Sequence, residues 1–277
     1  MRRMLSVSIV VGFILMAAGC NSGPQPPQPG TPAFLWSAAK TTYAAGDFLK
    51  ASDNLSQLVK SDSEFTARAE PWSMTISAGI AQAYMDLADN FEEGARANRA
   101  NPAPFRRQVT VYRSQAGTVV MQYAETVHKF LGENKSDSIA LEFGYPTGNA
   151  ALPVQLERVA KGMIIPDADA ESLQTAMMQR GVLLSALRAV GAADDPAKGL
   201  AVFKAGDVKA PRPVFLTATA RALVEETDLF IPRKLDQPAR ATMLCDEAEA
   251  ALKSIPETKE TKELMGRIAR IRKAAKT

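Results

Sequence analysis

The one histidine of the chain is the first place to look for chemistry. His128 follows Glu125 at the i, i+3 spacing with which helical bundles bind iron. A single histidine excludes HExxH metalloproteases and two-histidine zinc sites. In the long hairpin predicted below, the pair falls opposite Ile76 and Ser73, and residues 71–84 contain no carboxylate to bridge a metal. We expect a polar histidine beside the core and no cofactor. A helical-bundle metal protein or enzyme that uses Glu125 and His128 is the alternative.

Cys245 is the candidate nucleophile. Its neighbours at helical spacing are apolar: Ala241, Leu244, Ala248 and Leu252. A thiol in such surroundings has a raised pKa and is unreactive. The chain also contains no G-x-S-x-G, Walker A or G-x-G-x-x-G motif. We therefore expect Cys245 to be structural and the protein not to be an enzyme.

Three carboxylates alternate as in a calcium-binding loop, namely Asp167, Asp169 and Glu171. Ser172 stands where such a loop needs glycine, and Met178 stands where it needs a bidentate glutamate. The simpler interpretation is a helix N-terminus, where the dipole and the free N–H groups favour negative charge.

The last predicted helix is basic along its polar side, at Arg267, Arg270, Arg272, Lys273 and Lys276. Positive charge near a helix C-terminus complements the dipole and aids solubility, which is the interpretation we favour. Contact with anionic lipid headgroups or an acidic partner is the alternative. Three glutamates of the same segment partly offset the cluster.

The helices that would carry these residues begin with a pair in residues 34–62. Ala39, Gly46, Phe48 and Ala51 fall where a tetratricopeptide repeat (TPR) has a small residue, a turn glycine, an aromatic and a small residue. The segment thus resembles one TPR unit, and residues 248–274 resemble the end of a TPR array. The resemblance implies helix pairs stacked in a superhelix.

A long helical hairpin should follow this pair. One apolar stripe runs from Trp72 to Phe91, with Pro71 expected in the first turn, and a second runs from Phe105 to Phe130. Each helix would be about 40 Å long, twice the length of a TPR helix. A strict TPR array would not contain such a hairpin.

The rest of the chain also predicts helices. Residues 172–190 are apolar on most sides and indicate a central core helix. Further helices are expected at 153–163, 195–204, 213–228, 238–254 and 258–275. We predict an all-α, TPR-like helical-repeat domain over residues 33–277, with about ten helices. A split into two subdomains near residues 133–166, the least regular stretch, is left open.

The N-terminus has the pattern of an exported protein. Two arginines precede an apolar run of about a dozen residues, which is too short to span a bilayer comfortably. Ala17-Ala18-Gly19-Cys20 resembles the lipobox of bacterial lipoproteins, although leucine is usual where Ala17 stands. The resemblance implies a signal peptide at 1–19 and a lipid on Cys20. Residues 20–32 would be a proline-rich linker.

Composition limits the partners. Removal of residues 1–19 would lower the formal charge from +3 to +1, which argues against nucleic acid. A lipidated Cys20 would also leave Cys245 without a disulfide partner. The mature chain is therefore expected to be a nearly neutral body that is stabilised by packing.

These features together predict a lipid-anchored extracytoplasmic adaptor that binds a protein through a TPR-like surface. Candidate contacts are Trp36, Lys40, Tyr43 and Tyr145. A structural envelope spacer is a further alternative. Because Asn21 rather than aspartate follows the cysteine, the resemblance implies the periplasmic face of the outer membrane, if the organism has one.

Overall fold

The computed structural model describes residues 27–275; Cys20, residues 1–19 and Lys276 lie outside this range. The described part contains ten α-helices: α1 (Pro32–Ala44), α2 (Phe48–Lys60), α3 (Thr66–Ala97), α4 (Ala103–Glu133), α5 (Val154–Ala160), α6 (Asp167–Ala189), α7 (Pro196–Lys204), α8 (Arg212–Glu226), α9 (Pro238–Lys253) and α10 (Lys259–Ala274). Two short strands, β1 (Ser138–Ala140) and β2 (Lys209–Pro211), and a 3₁₀ turn (Thr227–Phe230) complete its regular elements. The predicted all-α class is confirmed.

The first helix pair has suitable residues at its ends and at its turn. The Thr31 hydroxyl accepts a backbone N–H of the first turn of α1 at 3.3 Å, and Pro32 opens the helix. Gly46 has a φ of +77°, a left-handed conformation that glycine adopts at little cost. The side chain of Asp47 caps α2. The predicted break at Gly46-Asp47 is confirmed.

The long antiparallel hairpin of α3 and α4 is also confirmed, but its first boundary was wrong. α3 begins at Thr66, and Pro71 lies inside the helix instead of in its first turn. The Thr66 hydroxyl accepts the Ser63 N–H at 3.1 Å and donates to the Ser61 carbonyl at 2.7 Å, which fixes the chain just before the helix. A proline this close to the N-terminus removes one intrahelical hydrogen bond, so the helix tolerates it.

A close crossing of α6 over α3 forms the centre of the molecule. A Cβ atom added to Gly181 would lie 2.1 Å from the Gly79 carbonyl oxygen, and one added to Gly79 would lie 2.5 Å from the Val182 Cα. The two backbones therefore touch, which any larger residue would prevent. α6 is the predicted central helix, and it begins at Asp167, five residues before the expected start.

α3 is the hub of the helices. It packs against α2, α4, α5, α6 and α8, which include elements far away in sequence. In a solenoid, each repeat contacts only its neighbours. The contacts thus establish a helical body with buried residues of α1 through α10 in one main core, but they do not establish a TPR-like superhelix.

A two-stranded ladder, which the sequence did not predict, joins the irregular stretch 133–166 to the segment just before α8. β1 pairs antiparallel with β2, and Ile139 lies opposite Ala210 with both side chains buried. The Arg212 guanidinium then donates to the Asn134 carbonyl at 3.0 Å. These contacts attach residues 134–140 to the start of α8.

Candidate functional site

Two of the four predicted partner contacts are core side chains. The Trp36 and Tyr43 rings are buried against Trp72, with ring centroids 5.3 and 5.2 Å apart, respectively. Lys40 is exposed and lies over the Trp36 ring, whereas Tyr145 is half-buried against another aromatic ring. The expectation that Trp36 and Tyr43 contact a partner directly is therefore corrected, because packing against the second tryptophan excludes their rings from the surface. Lys40 and Tyr145 remain accessible.

Glu125 and His128 both point away from the core. Their side chains are exposed, and His128 Nδ1 lies 3.0 Å from Glu247 Oε1 on α9. Among residues 27–275, no three His, Cys, Asp or Glu side chains are grouped to hold a metal ion. The arrangement supplies one surface ion pair between α4 and α9.

The remaining candidates from the sequence are placed as expected. Cys245 is fully buried, and desolvation raises the pKa of its thiol to about 11. Asp167 and Asp169 lie in the first turn of α6, where the helix dipole favours their charge. None of these groups forms an open reactive site.

A groove between α8, the 3₁₀ turn, α9 and α10 is the best candidate for binding. We call it the C-terminal groove, and it has a volume of about 370 Å³. This size lies in the range of ligand pockets. Its lining includes Asp228, Phe230, Ile231, Arg267, Arg270 and Ile271.

The chain after α8 forms one wall of this groove. The Gln237 N–H donates to the Phe230 carbonyl at 3.0 Å, and Arg233 and Asp236 adopt positive φ, so the segment folds back on itself. Ile231 lies 40% exposed at this turn. On the opposite wall, a capping box at Thr258 starts α10.

Charge in the groove is unbalanced. Its acidic side chains are already paired: Asp228 lies 2.7 Å from Lys234, and Glu225 lies 3.0 Å from Arg188. Arg267 and Arg270 have no ion-pair partner within the described residues, unlike Arg272, which pairs with two carboxylates of α9. The groove therefore offers an apolar floor beside two free guanidinium groups.

A second cavity lies between α3, α6 and α8. Its volume is only about 40 Å³, which is room for a few water molecules. Glu226 lines it with a side chain that is 1% exposed, and neither of its carboxylate oxygens has a hydrogen-bond partner. Desolvation, with a smaller contribution from the charge of Glu225, raises its pKa well above the ordinary value. This cavity is too small for an organic ligand, but ionisation of the Glu226 carboxyl group beside it would destabilise the fold.

Neither the groove nor the burial of Glu226 could be predicted from the sequence. The basic face of α10 was visible, but the sequence does not show that residues 228–238 fold over to form the facing wall. Glu226 follows Glu225 and lies two residues before Asp228, and such an acidic run is typical of an exposed helix end.

Comparison of the chain with protein-family models, with curated proteins and with solved structures gives no match. Function is therefore inferred from these residues alone.

Proposed function

We propose that the protein is a lipid-anchored extracytoplasmic adaptor that binds a protein segment in the C-terminal groove. The segment would carry an apolar side chain next to a carboxylate. Residues 1–19 would be removed as a signal peptide, Cys20 would carry the lipid, and residues 20–32 would tether the body. We also propose that α1–α2 and α9–α10 act as TPR-like pairs that flank the central hairpin.

The proposed anchor is supported by the junction between the tether and the body. The lipobox-like sequence is followed at once by a proline-rich stretch, and the helical body begins directly after it at Pro32. No helix of the described residues is long and apolar enough to span a bilayer. Attachment through Cys20 would supply membrane association without such a helix.

The single observation that carries the binding proposal is the pair of free arginines beside an apolar floor. Arginine binds carboxylates bidentately, and partly desolvated pairs contribute more than fully exposed ones. Arg267 is half-buried, and it has no ion-pair partner among the described residues. An acidic, apolar segment would pair this charge and cover Ile231 and Ile271.

Site-specific photocrosslinking in cells tests the groove. A photoreactive amino acid at Ile231 should give one defined product, whose partner peptide contains acidic residues. The matched control is Ile164, which is 56% exposed and lies outside the groove. It should give no product.

Charge reversal makes the test specific. The double variant Arg267→Glu/Arg270→Glu should abolish the product from Ile231 and leave the melting temperature within a few degrees of the original. A product that survives this change, or that forms equally from Ile164, would contradict the adaptor proposal. The absence of any product would favour a structural spacer.

A further inference from the structure

The tip of the long hairpin carries a concentrated positive charge. Arg96 lies in the last turn of α3, Arg99 follows the end of that helix, and Arg106 and Arg107 lie in the first turns of α4; all four are exposed. With Arg113, five arginines occur between residues 92 and 113, where only two glutamates occur. We call the four exposed arginines the hairpin-tip patch.

Most of this charge is not neutralised within the fold. Glu92 lies 3.1 Å from Arg96 and 2.7 Å from Arg113, so one carboxylate serves two guanidinium groups. Arg99, Arg106 and Arg107 have no ion-pair partner among residues 27–275. A surface depression of about 750 Å³ lies at this end of the hairpin, and Arg96, Arg99 and Arg106 line it.

We propose that the hairpin-tip patch docks on the anionic phospholipid headgroups of the bilayer that holds the anchor. Guanidinium groups bind phosphate bidentately. The four guanidinium side chains are exposed at one end of the hairpin, where a headgroup surface can reach them, whereas the C-terminal groove has an apolar floor. This inference rests on the proposed lipid anchor.

Chain geometry agrees with docking at the same bilayer. The 12 residues from Cys20 to Pro32 span at most about 40 Å. Trp36 packs on Trp72, and Arg96 is about 24 residues further along α3, or about 36 Å at the rise of an α-helix. A body that stands on its hairpin tip therefore places α1 at about the full reach of the tether. The patch orients the body, and the lipid holds it.

The expected strength follows from the number of free charges. Each basic side chain near an anionic surface raises partitioning about fivefold, so three free arginines give about 100-fold. The effect should vanish at high salt, because the screening length falls to about 3 Å at 1 M ionic strength.

Vesicle cosedimentation tests the docking. The mature chain from residue 20 with Cys20→Ser lacks the lipid, and it keeps the whole core because the core lies within the described residues. It should bind vesicles with 30% phosphatidylglycerol about 100-fold more tightly than pure phosphatidylcholine vesicles. Arg99→Gln/Arg106→Gln/Arg107→Gln should remove this preference.

A matched variant controls for net charge. Lys60→Gln/Lys204→Gln/Lys259→Gln removes three exposed charges from α2, from α7 and from the start of α10. It should bind within about threefold of the original. Equal losses in the two triple variants, no preference for anionic vesicles, or titratable binding of inorganic phosphate without vesicle binding would overturn the proposal. If the chain binds anionic vesicles but the native protein carries no lipid, the docking proposal would be supported and only the lipid anchor would be refuted.

Discussion

Replacement of Glu226 by glutamine should make the protein more stable at neutral pH. The carboxyl group is buried, its two oxygens have no hydrogen-bond partner, and its pKa is raised well above the value of 4.5 that it has when exposed. Glutamine keeps the shape and removes the ionisable group. The small cavity beside the side chain has room for water to hydrogen-bond the amide.

The sign and size follow from proton linkage. The folded state holds this proton at a pH where the unfolded state releases it, so the stability contributed by the protonated group is complete below about pH 4.5. It is lost as the pH rises toward the folded pKa. Each pH unit between the unfolded and the folded pKa lowers the free energy of unfolding by about 1.4 kcal/mol. The original protein loses this free energy as the pH rises from the unfolded pKa toward the raised folded pKa, and Glu226→Gln would recover it.

Urea unfolding of both proteins at pH 4.5, 5.5, 6.5 and 7.5 measures this. The difference between the two free energies of unfolding should be smallest at the lowest pH and should grow by up to about 1.4 kcal/mol per pH unit as the pH rises. Because the other titratable groups are the same in both proteins, their contribution cancels in the difference between the two free energies of unfolding. The control variant Glu125→Gln, which removes an exposed carboxylate that does not line this cavity, should show no gain. A gap between Glu226→Gln and the original that does not change with pH would refute the reasoning.

Two further predictions concern the core. Gly181→Ala should lower the free energy of unfolding by about 3 kcal/mol, because the new methyl would meet the α3 backbone. Gly132→Ala on α4 should raise it slightly, because the added atom meets nothing within 4 Å. Equal effects of the two variants in thermal melts would contradict the close crossing. In the mature Cys20→Ser chain at pH 8, Cys245 should react with a thiol reagent only after unfolding, because a pKa of about 11 leaves about 0.1% as thiolate. Rapid labelling of the folded chain would show that this thiol is accessible.

The features that could be predicted from the sequence are those set by local patterns. Apolar stripes of 3.6-residue period gave the long hairpin and the central helix, and a turn glycine gave the break at Gly46. The apolar neighbours of Cys245 were enough to predict its burial. In each case, residues within a few turns of one another determine the outcome.

The features that were missed depend on contacts between distant segments. β1 exists because it meets β2 about 70 residues later. Trp36 and Tyr43 are in the core because Trp72 packs against both rings. The C-terminal groove likewise requires α10 to face the turn after α8.

The attachment of lipid to Cys20 is the central claim, and mass spectrometry of the intact protein extracted from bacterial membranes tests it most directly. The account predicts a chain that begins at residue 20 and is heavier than its sequence by the mass of the attached acyl chains and glycerol, with Cys20→Ala abolishing the added mass. A native protein that lacks this added mass, or that still carries residues 1–19, would contradict the account.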